Sequence, residues 1–468
     1  MSNNTPLAAL NDLFSVQQQA FQAQPMPSAS QRIEWLQALR VILASEQKLI
    51  AETISADFSH RSHDETLLAE LMPSLEGIDY ACQRIKRWMK PSKRKVGLAF
   101  QPASAQVVYQ PLGVVGVIVP WNYPLFLSIG PLTGALAAGN RVMIKMSENT
   151  PRTAQLLKEL LARVFAEDLV CVVQGETDVA AAFSELPFDH LLFTGSTSVG
   201  KQVMRAAAKN LTPVTLELGG KSPAIISADV PLAEAAQRIA FGKTVNAGQT
   251  CVAPDYILVP QARVNEFVEA MRKAVLKFYP TLADNPDYTA IINPQHLQRL
   301  QDSIEDATRQ GATAIAIHPE GQGQRLPLTL LLNVTDHMRV MQDEIFGPIL
   351  PIVGYTSLDD ALAYIRQRPR PLALYYFGYQ RDEQQYVLNN SHAGGVCIND
   401  TLLHVAQHDL PFGGIGPSGM GQYHAHEGFL TFSHSKAVFS KQRFNAAKLI
   451  YPPYGGGLQK LILKFFLR

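Results

Sequence analysis

"VVYQPLGVVGVIVPW" (residues 107–121) is β-branched and apolar, interrupted only by Gly and Pro among polar ring and amide groups. Such a run fits a strand buried on both faces and ended near Pro120, and strands of that kind belong to parallel sheets. Outward from it the chain alternates. An apolar helical stretch "LSIGPLTGALAAG" (127–139) is followed by a strand "RVMIKM" (141–146), a helix from Thr150, a strand "LVCVVQG" (169–175), a short helix and a strand "HLLFTG" (190–195). This order implies right-handed crossovers and a doubly wound parallel sheet, a layout that binds nucleotides at its carboxyl edge. Upstream, "QRIEWLQALRVILASEQKLIAETI" repeats apolar residues at three- and four-residue spacing behind the cap candidates Ser28 and Ser30, which predicts helices over about 28–90. Beyond Gly219 a second series opens with "PAIIS", "PLAEAAQRIAFGKTV", "DYILV" and a long helix from Val264, a second α/β lobe.

Two lobes also suit the size, since 468 residues exceed what one hydrophobic core usually organises. With 47% hydrophobic and 17% charged residues the chain has ample surface to bury. Forty-one Lys plus Arg against forty Asp plus Glu leave a net charge of +1, which removes the basic field of a nucleic-acid binder. Cys82, Cys171, Cys251 and Cys397 form no CxxC or Cys/His pair, so neither a disulfide framework nor a zinc site is expected. The first residues lack a basic region leading into an apolar run, and no stretch reaches the length of a membrane span; the expectation is a cytoplasmic protein.

"GQTCVAPDY" (248–256) sets Cys251 apart from the other thiols. A cysteine whose backbone N–H is left free at a loop or helix start is placed where thiolate is favoured and an oxyanion can be bound. With "PWNYP" (120–124), "FTGSTSVG" (193–200), "LELGGKSP" (216–223), "EIFGPILP" (344–351) and "PFGGIGPSGMG" (411–421), the chain resembles the aldehyde dehydrogenases over nearly its whole length. The short N-terminus, "GQTCVAPDY" and "SGMGQYH" resemble the class-three branch, and "NDTLLHVAQHDLPFGG" (399–414) is similar to bacterial coniferyl aldehyde dehydrogenases.

The resemblance implies an α/β aldehyde dehydrogenase fold. A Rossmann-like NAD(P)-binding domain spans 1–96 and 112–216, a catalytic domain 217–405, a small β oligomerisation arm 97–111 and 425–440, and a tail 441–468. It implies that Cys251 adds to an aldehyde, because hydride departs readily from a thiohemiacetal and not from the free carbonyl. Asn122 and the Cys251 N–H would form the oxyanion hole, and Glu217 would be the general base that hydrolyses the thioester, with a pKa tuned by partial burial. Acylating relatives that use coenzyme A generally lack this glutamate, so the acid is the implied product. Alone, Asn122 reads as a turn cap and Glu217 as a strand-end charge.

The cofactor region has no GxGxxG. Instead Gly195, Ser196 and Gly200 in "GSTSVG" open a helix where a pyrophosphate would sit. By resemblance, Lys145 and Glu148 bind the adenosine ribose, Glu344 and Phe346 the nicotinamide ribose and ring, and Tyr123 walls the substrate pocket. Glu148 would repel a 2′-phosphate, which favours NAD, with NADP possible. His424 and His426 have no third ligand nearby and read as structural, with no metal. The partners implied are a small aldehyde, aromatic or medium-chain, and a second copy in a homodimer. In "LQKLILKFFLR", Leu458, Leu461, Ile462, Phe465 and Phe466 oppose Lys460, Lys464 and Arg468, an amphipathic helix read as packing or capping in preference to membrane contact. A membrane-associated fatty aldehyde dehydrogenase and a non-catalytic binding protein on the same fold stand as alternatives.

Overall fold

The strand Val114–Ile118 is buried at all five residues and pairs in parallel on both sides, with Arg141–Lys145 and with His190–Thr194. The computed structural model describes residues 4–319, 321–443, 448 and 451–467. Val170–Val173 and Val214–Glu217 extend this sheet in parallel, and the short strand Gly419–Met420 closes one edge antiparallel, with Gly419 opposite Glu217. Because Arg141–Lys145 and His190–Thr194 flank the strand Val114–Ile118, the direction of crossover reverses there. The loops leaving these strands, 119–122 and 195–196, therefore share the open crevice of the sheet.

A second sheet of seven strands runs in the order Thr313–Ala316, Thr329–Leu332, Ile349–Tyr355, Tyr256–Pro260, Pro223–Ile226, Ala373–Phe377, Gly395–Ile398. Only the first pairing is antiparallel. The stretch between Glu217 and Pro223 thus carries the chain from one sheet to the other. One apolar core joins both lobes and the helices around Leu36, Ile54 and Ile78, and a second, smaller one packs Leu10 and Phe14 against the other face of the first sheet.

The helices Ala29–Ser45, Gln47–Asp57 and Met72–Trp88 form the expected layer, and Ser28 caps the first, accepting from the Gln31 N–H. A further helix, Leu7–Ala23, was not expected from the sequence. It buries Leu10 and Phe14, and Gln17 donates to the backbone of Val142 and Glu167. Its polar face is long and its apolar face narrow, which hides its period.

Two boundaries shift. The arm is three-stranded, Ser92–Arg94, Ala103–Pro111 and Ser433–Lys441, with Ser433 opposite Pro111 and Lys441 opposite Ala103. The stretch 425–440, expected as strand throughout, begins as the helix Ala425–Thr431, and Leu98–Phe100 is a 3₁₀ turn. Gly428 and Phe429 face inward there, Phe429 in an aromatic group with Trp88 and Tyr109, so local packing overrides β-like composition. The tail helix is Gly457–Phe466, and Leu461, Leu463, Phe465 and Phe466 are all more than half exposed, so it does not pack on its own subunit. Arg468, assigned to its basic face, lies outside the described residues.

The helix Phe126–Ala138 ends on Gly139 at φ 95°, and Arg32 closes that end from the neighbouring layer by donating to the carbonyls of Ala137 and Ala138. A Cβ at Gly139 would lie 2.7 Å from the Arg32 guanidinium carbon. Gly139→Ala is expected to cost about 2 kcal/mol or more, from left-handed strain plus the displaced buried arginine. A melting temperature within a degree of the parent at the same scan rate would contradict this.

Candidate active site

Helix Leu232–Thr244 gives way to a turn in which Asn246 and Ala247 hold φ 51° and 50°. Left-handed backbone at non-glycine residues costs on the order of 1 kcal/mol or more each and persists only where surroundings over-determine it. Here they do. The Asn246 amide donates to the carbonyls of Asn122 (2.9 Å) and Gln249 (3.1 Å), and its backbone N–H donates to Glu65 (3.1 Å). Gln249 donates to the carbonyls of Asn246 and Ala290 and accepts from the Ile292 N–H.

Beneath this turn, fully buried Arg61 donates to Glu65 (3.1 Å), to Glu70 (2.7 Å) and to the Asn122 carbonyl (3.2 Å). The second Glu70 oxygen accepts from the N–H groups of Leu125 (2.8 Å) and Phe126 (3.0 Å). One ion pair thus fixes both the loop carrying Asn122 and the turn carrying Cys251. The Asn122 amide donates one hydrogen to the Gln249 carbonyl (3.0 Å), leaving its second hydrogen beside the Cys251 loop. Tyr123 lies with its ring against Arg61, and its hydroxyl bonds Thr250 (2.7 Å), the residue before the cysteine.

Glu217 ends the strand Val214–Glu217, is 2% exposed, and neither carboxyl oxygen has a hydrogen-bond partner among the described residues. Burial pushes its carboxyl well above the usual range. Its burial is complete where the sequence suggested a partial one. Cys251 is pushed up to about 12 by burial, then by the charges of Glu344 and Glu217, against the N–H groups of Cys251 and Val252. The sequence suggests a favoured thiolate here; the structure instead favours the neutral thiol, because desolvation and two neighbouring carboxyl groups outweigh two backbone dipoles.

Glu344 rises to about 8 through burial and then Asp255, opposed by the Gly220 N–H, Lys221 and Arg299. It lies so close to the backbone that a Cβ on Gly219 would be 2.0 Å from its Oε2. Lys221 donates to Asp255 (2.7 Å) and to the carbonyls of Val340 and Asp343, while Asp255 accepts from the Ile345 N–H (3.0 Å). That pair sets the "EIFG" turn, where Phe346 holds φ 50° with its ring edge-on to Trp121 at 5.3 Å.

On the crevice side, Ser196 caps the helix Thr197–Ala208, and a Cβ on Gly200 would meet Leu218 at 2.7 Å, so this helix sits hard against the sheet. The Gly195 N–H continues the ladder to the Glu217 carbonyl (3.0 Å). At the next strand end Lys145 donates to the Met146 carbonyl and lies 3.8 Å from Glu148. A cavity of about 190 Å³ opens there among Ser147, Glu148, Gln174 and Glu176. A helix N-terminus for a diphosphate, a carboxylate and ammonium for ribose hydroxyls, and an unpartnered Glu344 oxygen further along the crevice are a donor set that fits a nicotinamide dinucleotide.

A model of the aldehyde dehydrogenase family matches residues 6–438. The chain belongs to the aldehyde dehydrogenase family. It is 70% identical to a probable coniferyl aldehyde dehydrogenase of Pseudomonas aeruginosa, over 98% of this chain and 96% of that one. It is 45% identical to a coniferyl aldehyde dehydrogenase of Pseudomonas sp. strain HR199, over 92% and 91% of the two chains. Among solved structures, the substrate-bound state of Staphylococcus aureus AldH is similar with a TM-score of 0.93 and 39% identity, covering 98% of this chain and 99% of that one. Family 3 aldehyde dehydrogenases also match. This aldehyde dehydrogenase therefore catalyses NAD(P)-dependent aldehyde oxidation.

The structure brings Asn122, Glu217, Cys251 and Glu344 together, with Phe346 at the same end and Lys145, Glu148, Gly195, Ser196 and Gly200 along the crevice. Sequence reasoning missed the framework of this aldehyde dehydrogenase: Arg61, Glu65, Glu70, Asn246, Gln249, Lys221 and Asp255. A charged residue on the inward face of an apolar helical period, as Glu70 is in "DETLLAEL", is the one signal that points to it.

The thiol's environment sets a pH dependence. In cofactor-free protein the alkylation rate of Cys251, followed by mass spectrometry, is expected to rise about tenfold per pH unit from pH 7 to 9.5. Glu344→Gln removes a negative neighbour, lowers the thiol pKa and speeds alkylation, most above about pH 8 where Glu344 is ionised. A plateau below pH 8 in the parent would contradict this account.

Proposed function

We propose that this aldehyde dehydrogenase oxidises an aryl aldehyde such as coniferaldehyde to its acid, with Cys251 as nucleophile, Asn122 as oxyanion donor and Glu217 as general base. The observation that carries the reading is the half-buried Cys251 thiol, two residues after Gln249, whose carbonyl accepts from the Asn122 amide, and close enough to the unpartnered Glu217 carboxyl for its charge to bear on the sulfur. The coniferyl relatives and the aromatic residues near the nucleophile support the substrate class.

The Cys251 thiol gives its proton to the ionised Glu217 carboxylate, which passes it on to water, as the sulfur adds to the carbonyl carbon; the C–S bond forms and negative charge moves to oxygen, where Asn122 and the Cys251 N–H stabilise it. Loss of one such donor typically costs about 3 kcal/mol. Glu344 and Phe346 would hold the nicotinamide end of the dinucleotide, which when bound would supply the acceptor for the hydride that leaves this carbon. The carbon becomes a thioester of Cys251. Glu217 takes a proton from water as the water oxygen attacks; the C–S bond then breaks, releasing the acid and the thiolate. A buried carboxyl with a raised pKa is a strong base once ionised, and neither of its oxygens is engaged by a hydrogen-bond partner among the described residues.

Aldehyde dehydrogenases use NAD or NADP. NAD is the proposed preference, because Glu148 sits beside Lys145 at the ribose position with Glu176 across the same cavity, and two carboxylates disfavour a 2′-phosphate. A homodimer is proposed through the arm, where Ser433–Lys441 is an edge strand with Phe439 exposed.

Purified protein with coniferaldehyde and NAD is expected to form NADH steadily, and Cys251→Ser to form none. Glu217→Gln is expected to give a burst of about one NADH per subunit and then a rate at least a hundredfold lower, as thioester accumulates. Full steady turnover in either variant would overturn its assigned role.

A further inference from the structure

A narrow cavity lies between the helix Met72–Trp88, the helix Phe126–Ala138 and the loop after Met420. Its walls are largely apolar, with Pro73, Trp88 and Phe126 among them. Five polar residues also line it: Ser74 donates to the Glu70 carbonyl, half-buried His408 lies 3.9 Å from Glu76, and Thr133, Tyr423 and His424, each more than nine-tenths buried, have no hydrogen-bond partner among the described residues for Thr133 Oγ1, the Tyr423 hydroxyl and His424 Nε2. Leaving buried polar groups unpaired is costly, so these three around one space describe a place built for polar atoms that arrive from outside.

The cavity abuts the reaction centre. Tyr423 is close enough to Glu217 and Cys251 that their charges bear on its hydroxyl, and Phe126 opens its helix four residues after Asn122. His424 is held rigidly: Phe412 stacks on it at 4.9 Å and Tyr423 meets it edge-on at 4.7 Å. Burial, followed by the neighbouring His408 and His404, lowers His424 to about 3, so it is a neutral imidazole with a donor and an acceptor. At about 50 Å³ the space takes roughly three or four water-sized atoms at ~10–15 Å³ each, enough for the substituents on a ring edge and too little for a second ring.

We infer that Thr133 and His424 form a subsite for the oxygen substituents of an aryl aldehyde, a phenolic hydroxyl and its neighbouring ether, while the Tyr423 side chain lines the passage from there to Cys251. This rests on the aryl aldehyde reading and adds a selection rule to it: an aryl aldehyde without ring oxygens leaves the buried hydroxyl and imidazole unpaired and is penalised. Sites built to bond a substrate hydroxyl reject analogues that lack it far more strongly than apolar pockets distinguish size.

The test compares kcat/KM for coniferaldehyde, cinnamaldehyde and hexanal in the full chain, Thr133→Val and His424→Phe, with calorimetric binding of ferulate and cinnamate to each. The parent is expected to favour coniferaldehyde over cinnamaldehyde, and ferulate over cinnamate, by at least tenfold, and each variant to bring both ratios within about threefold. Thr133→Val is isosteric and keeps the test sound if His424→Phe fails to fold. A parent preference that survives in Thr133→Val overturns the inference and leaves the aryl reading standing, as does equal parent turnover of the two aryl aldehydes above hexanal. Hexanal turned over faster than both aryl aldehydes overturns the aryl reading itself.

Discussion

The ion pair between Arg61 and Glu70, fully buried and 2.7 Å apart, is the constraint on which the site depends. Arg61 holds the Asn122 carbonyl, and Glu70 holds the two N–H groups that start the next helix. Through Glu65 and Asn246 the same cluster holds the strained turn before Cys251. Burying such a pair carries a large desolvation cost, and removing one partner commonly costs about 3–5 kcal/mol. Its use here is positional: two loops from different lobes must meet within an ångström, and neither has enough local structure to do so alone.

The chemistry sits in the opposite electrostatic condition. Glu217 is buried, Cys251 and Glu344 are half-buried, and each is pushed towards its neutral form. Two carboxyl groups and a thiol drawn out of bulk water make an arrangement that needs a well-braced frame. Arg61 and Lys221, each anchored to a carboxylate and to backbone carbonyls, supply that frame on the two sides. The carboxyl oxygens of Glu217 are left unpartnered while Arg61 and Lys221 around the site are held by several hydrogen bonds each.

The two sheets bring the proposed cofactor residues and Cys251 to one place from different directions. The crevice at the crossover reversal of the first sheet brings in the strand-end residues from Lys145 to Gly200, and Cys251 lies on the approach to the strand Tyr256–Pro260 of the second sheet. The Gly419–Met420 strand returns the chain to Glu217 and delivers Tyr423 and His424 to the far side. One short segment thus joins the residue opposite Glu217 in the sheet to the cavity wall formed by Tyr423 and His424.

Much of this was legible in the residues alone. Continuous β-branched runs alternating with helical periods determined the parallel sheets, because a strand buried on both faces has no other composition to choose from. The motifs around Asn122, Glu217 and Cys251 marked the family, and with it the three residues to which the proposed chemistry is assigned. What only the tertiary structure decided was the state of those groups. Whether a thiol is ionised, whether a glutamate is half or wholly buried, and whether His424 is an inert core residue or a wall of the cavity depend on atoms tens to hundreds of residues away. Arg61, Glu70 and Asp255 look like ordinary charges in sequence; they become the frame of the site only when folding removes water from around them, and desolvation has no local signature.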